Sequence, residues 1–200
     1  MNLAIGVMGS SEGDFNQDVL LRMERLGRAI AQKGCTLITG GCPGLSYEAV
    51  KGAKAEGGFV VGISPGLSRY EHVTKYESPI EGFDVMIYTG SGLMGREIEN
   101  IRSSDIVIIA GGRSGTLGEF SIAYDEGKLI GALKGTGGIA DSLDYLVKLC
   151  DKDTGAVVMS EEDPVRLVEK LYDYYCTCHY KHPSIFEPVQ DETPAVLDIG

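Results

Sequence analysis

Residues 110–120 read AGGRSGTLGEF and follow the apolar run DIVIIA. Glycines at a strand-to-helix turn let backbone N–H groups close in on an anion, and the N-terminus of the following helix adds partial positive charge. Gly111, Gly112 and Gly115, with Arg113, Ser114 and Thr116, therefore form a candidate phosphate cradle. The two hydroxyls can donate hydrogen bonds, and Arg113 can add a full charge. Glu119 stands three residues after Thr116. That is the spacing of a capping box headed by Thr116, so taken alone Glu119 reads as a helix cap ahead of a catalytic carboxylate. Arg96 lies in a second glycine-rich stretch, GLMGREIEN, and its planar fork can hold two oxygens at once. On a helix, Arg96, Asn100 and Ser103 share one face, while Glu97 and Glu99 point elsewhere. Neither a GxGxxG fingerprint after the first strand nor a Walker GxxxxGK[ST] is present, so an ordinary NAD or ATP site has little support.

Chemistry at these positions requires elements that bring them together. LAIGVMG reads as a first strand, and residues 16–33 follow it with apolar positions at helical spacing, ended by Gly34. CTLITGG, FVVGISPG, FDVMIYTG, IVIIAGG and LIGAL read as further strands, with AVVM as a short possible seventh. Helical stretches alternate with them, the last being EEDPVRLVEKLYDYYC. Residues 67–82 read as a polar surface excursion without a clear element. Wholly apolar strands alternating with helices predict an α/β, Rossmann-like parallel sheet of about six to seven strands, covered by helices on both faces. In such sheets ligands sit outside the C-terminal strand ends. The glycine clusters fall on that one edge: Gly9 with Ser10, Gly40 with Gly41, Gly90 with Gly92, and Gly111 with Gly112. Gly9, Ser10, Gly40 and Gly41 thereby join the cradle as predicted pocket residues. The expected organisation is one domain over residues 1–178 and a polar C-terminal tail over 179–200.

Composition narrows the partners. Glycine makes up 28 of the 200 residues, about twice its usual share. The net charge of −11 gives no general basic field with which to displace counterions from a duplex, so nucleic acid is not an expected partner. No apolar run approaches the roughly 20 residues of a membrane span, and the N-terminus lacks the basic start of a signal peptide. Five irregularly spaced cysteines suit a reducing cytoplasm rather than a disulfide framework.

Two separated blocks then carry a resemblance. CTLITGGCPGLSYEAVKGAKAEGGFVVGISPG is similar to the stretch of the LOG (LONELY GUY) family that reads GGG-x-x-GLMGAVADAALAAGG-x-VIGV-x-P, and MGREIENIRSSDIVIIAGGRSGTLGE to its M-x-x-RK and PGG-x-GT-x-x-E segments. Arg96, Gly115, Thr116 and Glu119 fall at the family distances from Asp105. In the ungapped register Gly111 replaces the family proline and Arg113 its second glycine; a one-residue shift would instead keep Gly111-Gly112 as the pair. Glu97 replaces the family lysine. The SPG and NIRSSD segments look closer to a sister branch that includes molybdenum-cofactor-carrier-like proteins. The resemblance implies a phosphoribohydrolase. Such an enzyme cleaves the N-glycosidic bond of a nucleoside 5′-monophosphate, with Glu119 near the anomeric carbon, Arg96 orienting the base or the carboxylate, and the 111–116 loop on the 5′-phosphate. It also implies a homodimer or larger assembly. The other reading is a non-catalytic carrier of a nucleotide or pterin phosphate. Neither requires a resident cofactor, and no lysine for pyridoxal phosphate is identifiable.

Other residues have a plainer role beside a functional one. Cys42, beside the second glycine turn, reads as a small buried residue or a reactive thiol. His72 reads as a solvated loop histidine or part of a lid, and Glu48 as a surface residue or a second carboxylate. The tract Cys176, Cys178, His179, His182 lacks zinc-finger spacing, so no metal site is expected.

Overall fold

The computed structural model describes residues 3–179. Seven strands pair in parallel: β1 (Ala4–Gly9), β2 (Thr36–Thr39), β3 (Val60–Ser64), β4 (Val85–Tyr88), β5 (Ile106–Ala110), β6 (Leu129–Leu133) and β7 (Val157–Glu161). Their spatial order is β4-β3-β2-β1-β5-β6-β7. Seven helices connect or follow them: α1 (Gln17–Gln32), α2 (Leu45–Ala55), α3 (Arg69–Thr74), α4 (Gly92–Arg102), α5 (Ser114–Asp125), α6 (Gly138–Cys150) and α7 (Pro164–Thr177). The fold is the expected Rossmann-like α/β sheet. Residues 180–200, most of the anticipated tail, and His182 lie outside the described residues.

Neighbouring residues of the central strands feed opposite cores, which explains why these strands are apolar throughout. Ile106 and Ile108 join the layer with α1, α2 and α7, whereas Val107 and Ile109 join the layer with α5 and α6. The edge strand β4 departs from this pattern, with Val85 and Ile87 exposed. Strand order reverses between β1 and β5, whose pairing ends at Gly9 opposite Ala110. The β1 and β5 loops therefore leave the sheet side by side, at a topological switch point.

The excursion at 67–82 is more ordered than its polarity suggests. It contains α3, capped by the Ser68 hydroxyl, which accepts from the Glu71 amide. His72 is completely buried there, 2.8 Å from Ser64 Oγ and 2.9 Å from the Pro79 carbonyl oxygen. Neither a solvated loop histidine nor a lid describes it. The end of β3 supplies the Ser64 hydroxyl that draws the ring inward.

Helices α1 and α2 meet at two glycines. A Cβ on Gly27 would lie 2.7 Å from the Ala49 carbonyl carbon, and one on Gly52 would lie 2.7 Å from that of Glu24. Both obstacles are backbone, so the helices would have to separate. Gly27→Ala should therefore destabilise the fold by ~1–3 kcal/mol of overpacking, despite alanine's better helix propensity. A thermal melt checks this: a drop of several degrees is expected, and an unchanged midpoint would count against the close crossing.

Candidate functional site

The loops after β1, β2, β5 and β6 lock together at the switch point. The Ser10 hydroxyl accepts from the Gly112 amide at 2.8 Å, and the Ser10 carbonyl accepts from the Leu45 amide at the start of α2, at 2.9 Å. The Gly111 amide donates to Thr136 Oγ1 at 2.8 Å, and that hydroxyl donates to the Leu133 carbonyl at 2.6 Å. The carbonyls of Gly111 and Gly112 accept from Ala140 and Ile139, capping α6. Gly111 and Gly112 have φ values of +61° and +102°, so other residues would be strained in this turn. The turn is thus held in place by the hydroxyls of Ser10 and Thr136 and by its backbone bonds to α6.

Helix α5 begins immediately after it. Arg113 occupies the N-cap position, and no side chain caps the helix. Thr116 lies inside the first turn rather than at the cap, so the capping-box reading of Thr116 and Glu119 falls away. The helix starts three residues earlier than that reading required. Its N-terminal amides and partial positive charge open toward a cavity of about 300 Å³ lined by Gly9, Ser10, Gly40, Arg96, Ser114, Gly115, Thr116 and Glu119, among others. Arg113 also lines it but pairs with Glu12 at 3.1 Å, both side chains being exposed. Arg113 therefore neither disturbs the start of α5 nor sits deep in the cavity. Gly41, Gly111 and Gly112 shape the turns behind the wall and are not among the lining residues.

The charged groups gather on the facing helix α4. Arg96 is buried, and its guanidinium lies over the α-carbon of Gly40, where a Cβ would overlap Nη1. Its Nη2 is 3.6 Å from Cys42 Sγ, and its Nε is buried without a hydrogen-bond partner. Glu119 is 7% exposed. Burial pushes its carboxyl up to about 7; Arg96 opposes the shift, Glu97 adds to it and a hydrogen bond with Thr116 opposes it. A glutamate held there is available in both protonation states near neutral pH.

Glu97 was expected to point away, and the structure corrects this. It is 5% exposed, lines the same cavity, and has its carboxyl raised by burial against the pull of Arg96. The buried stripe of α4 is Arg96, Glu97, Asn100 and Ile101, whereas Ser103 is an exposed C-cap. The helix is rotated from the expected face because it packs on α5 as well as on β3. Gly115 and Gly118 open the α5 surface for Glu97: a Cβ at these positions would lie 3.3 and 2.9 Å from its two carboxyl oxygens. That glycine pair was the available signal in the sequence. Leu93 and Met94, also unanticipated, form an exposed apolar rim.

The remaining candidates lie elsewhere. Glu48 pairs with Lys51 at 2.6 Å and does not line the cavity. Cys42 is a partly exposed free thiol at the pocket wall. Cys176 and Cys178 are exposed thiols, while His179 packs on the Tyr175 ring with centroids 5.7 Å apart. Among the described residues no group of three or more His, Cys, Asp and Glu side chains could hold a metal ion, and no helix is long and apolar enough to cross a membrane.

Comparison with known proteins agrees with this fold. The chain is 37% identical, over 132 residues, to an uncharacterised protein of Archaeoglobus fulgidus; the match covers 66% of this chain and 80% of the relative. The crystal structure of TM1055 aligns with a TM-score of 0.72 at 26% identity, over 84% of this chain and 99% of that one. The molybdenum cofactor carrier protein of Chlamydomonas reinhardtii aligns with a TM-score of 0.70 at 30% identity, over 86% of this chain and 99% of that one. The model of the SLOG cluster4 family matches residues 2–168, nearly the whole described sheet and its helices, and the chain belongs to that family.

Proposed function

We propose that this pocket takes a nucleoside 5′-monophosphate and hydrolyses its N-glycosidic bond, giving the free base and ribose 5-phosphate. The observation that carries the reading is the buried Glu119 carboxyl, titrating near neutrality beside Arg96, in one cavity with the uncapped start of α5. The 5′-phosphate would sit on the α5 amides and the hydroxyls of Ser114 and Thr116. The C1′–N bond breaks through an oxocarbenium-like transition state, whose positive charge an ionised Glu119 stabilises. Water adds its oxygen to C1′ and gives its proton to Glu119, and Glu119 passes that proton to the departing nitrogen of the base, which returns the carboxylate to its ionised form. Arg96 orients the base or Glu119 and counters the negative charge.

A second reading, carriage of a pterin phosphate without turnover, is favoured by the likeness to the Chlamydomonas carrier protein. It uses the same anion-binding edge. Incubation with a panel of nucleoside 5′-monophosphates, followed by chromatography for free base, separates the two. Base release from at least one nucleotide supports the hydrolase. Retention of a phosphorylated ligand with no release from any nucleotide overturns it in favour of the carrier.

A further inference from the structure

The cavity holds more buried acid than buried base. Glu97 and Glu119 are 5% and 7% exposed, and neither takes part in a salt bridge within 4 Å among the described residues. The nearest buried cation is Arg96, which can balance one negative charge and not two. The elements around the pair add little. Strands β1, β3 and β5 contribute no titratable side chain. Helix α4 adds Glu99, which has a buried oxygen of its own without a partner. The β2–α2 turn adds Cys42, and the mouth adds Arg113, already paired with Glu12. Helix α5 adds the positive end of its dipole. Glu97 Oε2 is buried with no hydrogen-bond partner, which is costly for an ionised oxygen. Two carboxyls crowded beside one cation in a shielded site cannot both ionise cheaply.

We infer that Glu97 is a positioning residue for Glu119: the two carboxyls, brought together across the Gly115/Gly118 face of α5, hold a single proton between them at neutral pH. With Arg96 the cluster is then electrically neutral, so a phosphate dianion meets the α5 N-terminus without repulsion. Loss of the shared proton at alkaline pH adds a negative charge and weakens anion binding. The raised titration of both groups, each caused first by burial, agrees with this arrangement.

The test needs no ligand, so its failure is separate from failure of the hydrolase or carrier reading. The full chain is labelled at glutamate Cδ with ¹³C and titrated by NMR, Glu119 being assigned by the resonance lost in Glu119→Gln. In Glu97→Gln, the Glu119 midpoint should fall by about one pH unit and its curve should become a single step. It should stay above the ordinary glutamate range, because burial persists. Coupling is reciprocal, so Glu119→Gln should lower the Glu97 midpoint by the same amount, and it reads the same quantity if Glu97→Gln does not fold. Midpoints that do not move in either variant overturn the shared proton.

Discussion

Glu119→Gln is expected to cut base release by roughly 10²- to 10⁴-fold while leaving the affinity for a phosphorylated ligand near that of the parent chain. Glutamine preserves the volume of the side chain, and the buried position packs it similarly. What it removes is the ability to carry negative charge or exchange a proton at that point. The proposed phosphate contacts, the amides at the start of α5, do not need the carboxyl. Near-wild-type turnover in this variant would refute the catalytic role of Glu119. If the chain is a carrier, the same variant has no turnover to lose, and ligand retention is unchanged. A second readout accompanies the first. Glu119 is raised from the ordinary 4.5 to about 7 in the folded chain. As pH rises, the unfolded chain therefore releases this proton before the folded one does. The stability that the protonated group contributes is complete below about 4.5 and is lost as pH climbs through about 7. The melting temperature of the parent chain should accordingly fall more steeply across that window than that of Glu119→Gln. Parallel curves would show that the carboxyl is not held up by burial.

The sheet and the edge that carries the site were legible because two independent patterns coincide. Strands apolar at every position demand cover on both faces, and glycine clusters follow the C-terminal ends of β1, β2, β4 and β5. Pairing of Gly9 with Ala110 then follows from a switch in strand order that no local pattern records. The sequence reading failed where a side chain's surroundings come from a second element. Glu97 is one residue from Arg96, so a single-helix argument sends it to solvent. It is buried because α5 offers two glycines opposite it, a fact that belongs to the packing of two helices. His72 failed for a related reason: a polar excursion says nothing of the Ser64 hydroxyl waiting at the end of β3. Thr116 illustrates the opposite case, since its spacing to Glu119 fits a capping box while the turn itself, fixed by Gly111 and Gly112, starts the helix earlier.

Gly40→Ala should separate folding from function at this site. The φ of Gly40 is not in the left-handed region, so alanine can adopt the same backbone without strain. The added methyl overlaps only the far end of Arg96, a flexible side chain, and the guanidinium can swing away. Stability should therefore change little. Function should not be spared, because the displaced guanidinium no longer faces Glu119 and the cavity. A charge-assisted hydrogen bond from Arg96 to a bound ligand is worth ~1.5–3 kcal/mol, so affinity or turnover should fall by roughly ten- to a hundred-fold. Gly41→Ala provides the contrast one residue along. Gly41 has φ +66°, and a Cβ there would lie 3.1 Å from the buried ring of His72. Strain of ~1–3 kcal/mol falls on the fold itself, so the melting temperature should drop. Binding assays and thermal melts on the two variants test the pair together. A Gly40→Ala protein that melts normally and binds phosphorylated ligand as tightly as its parent would mean that Arg96 contributes nothing from the place it occupies. If the expected split appears, the second glycine turn serves two ends: its first residue leaves room for the arginine, and its second makes the bend.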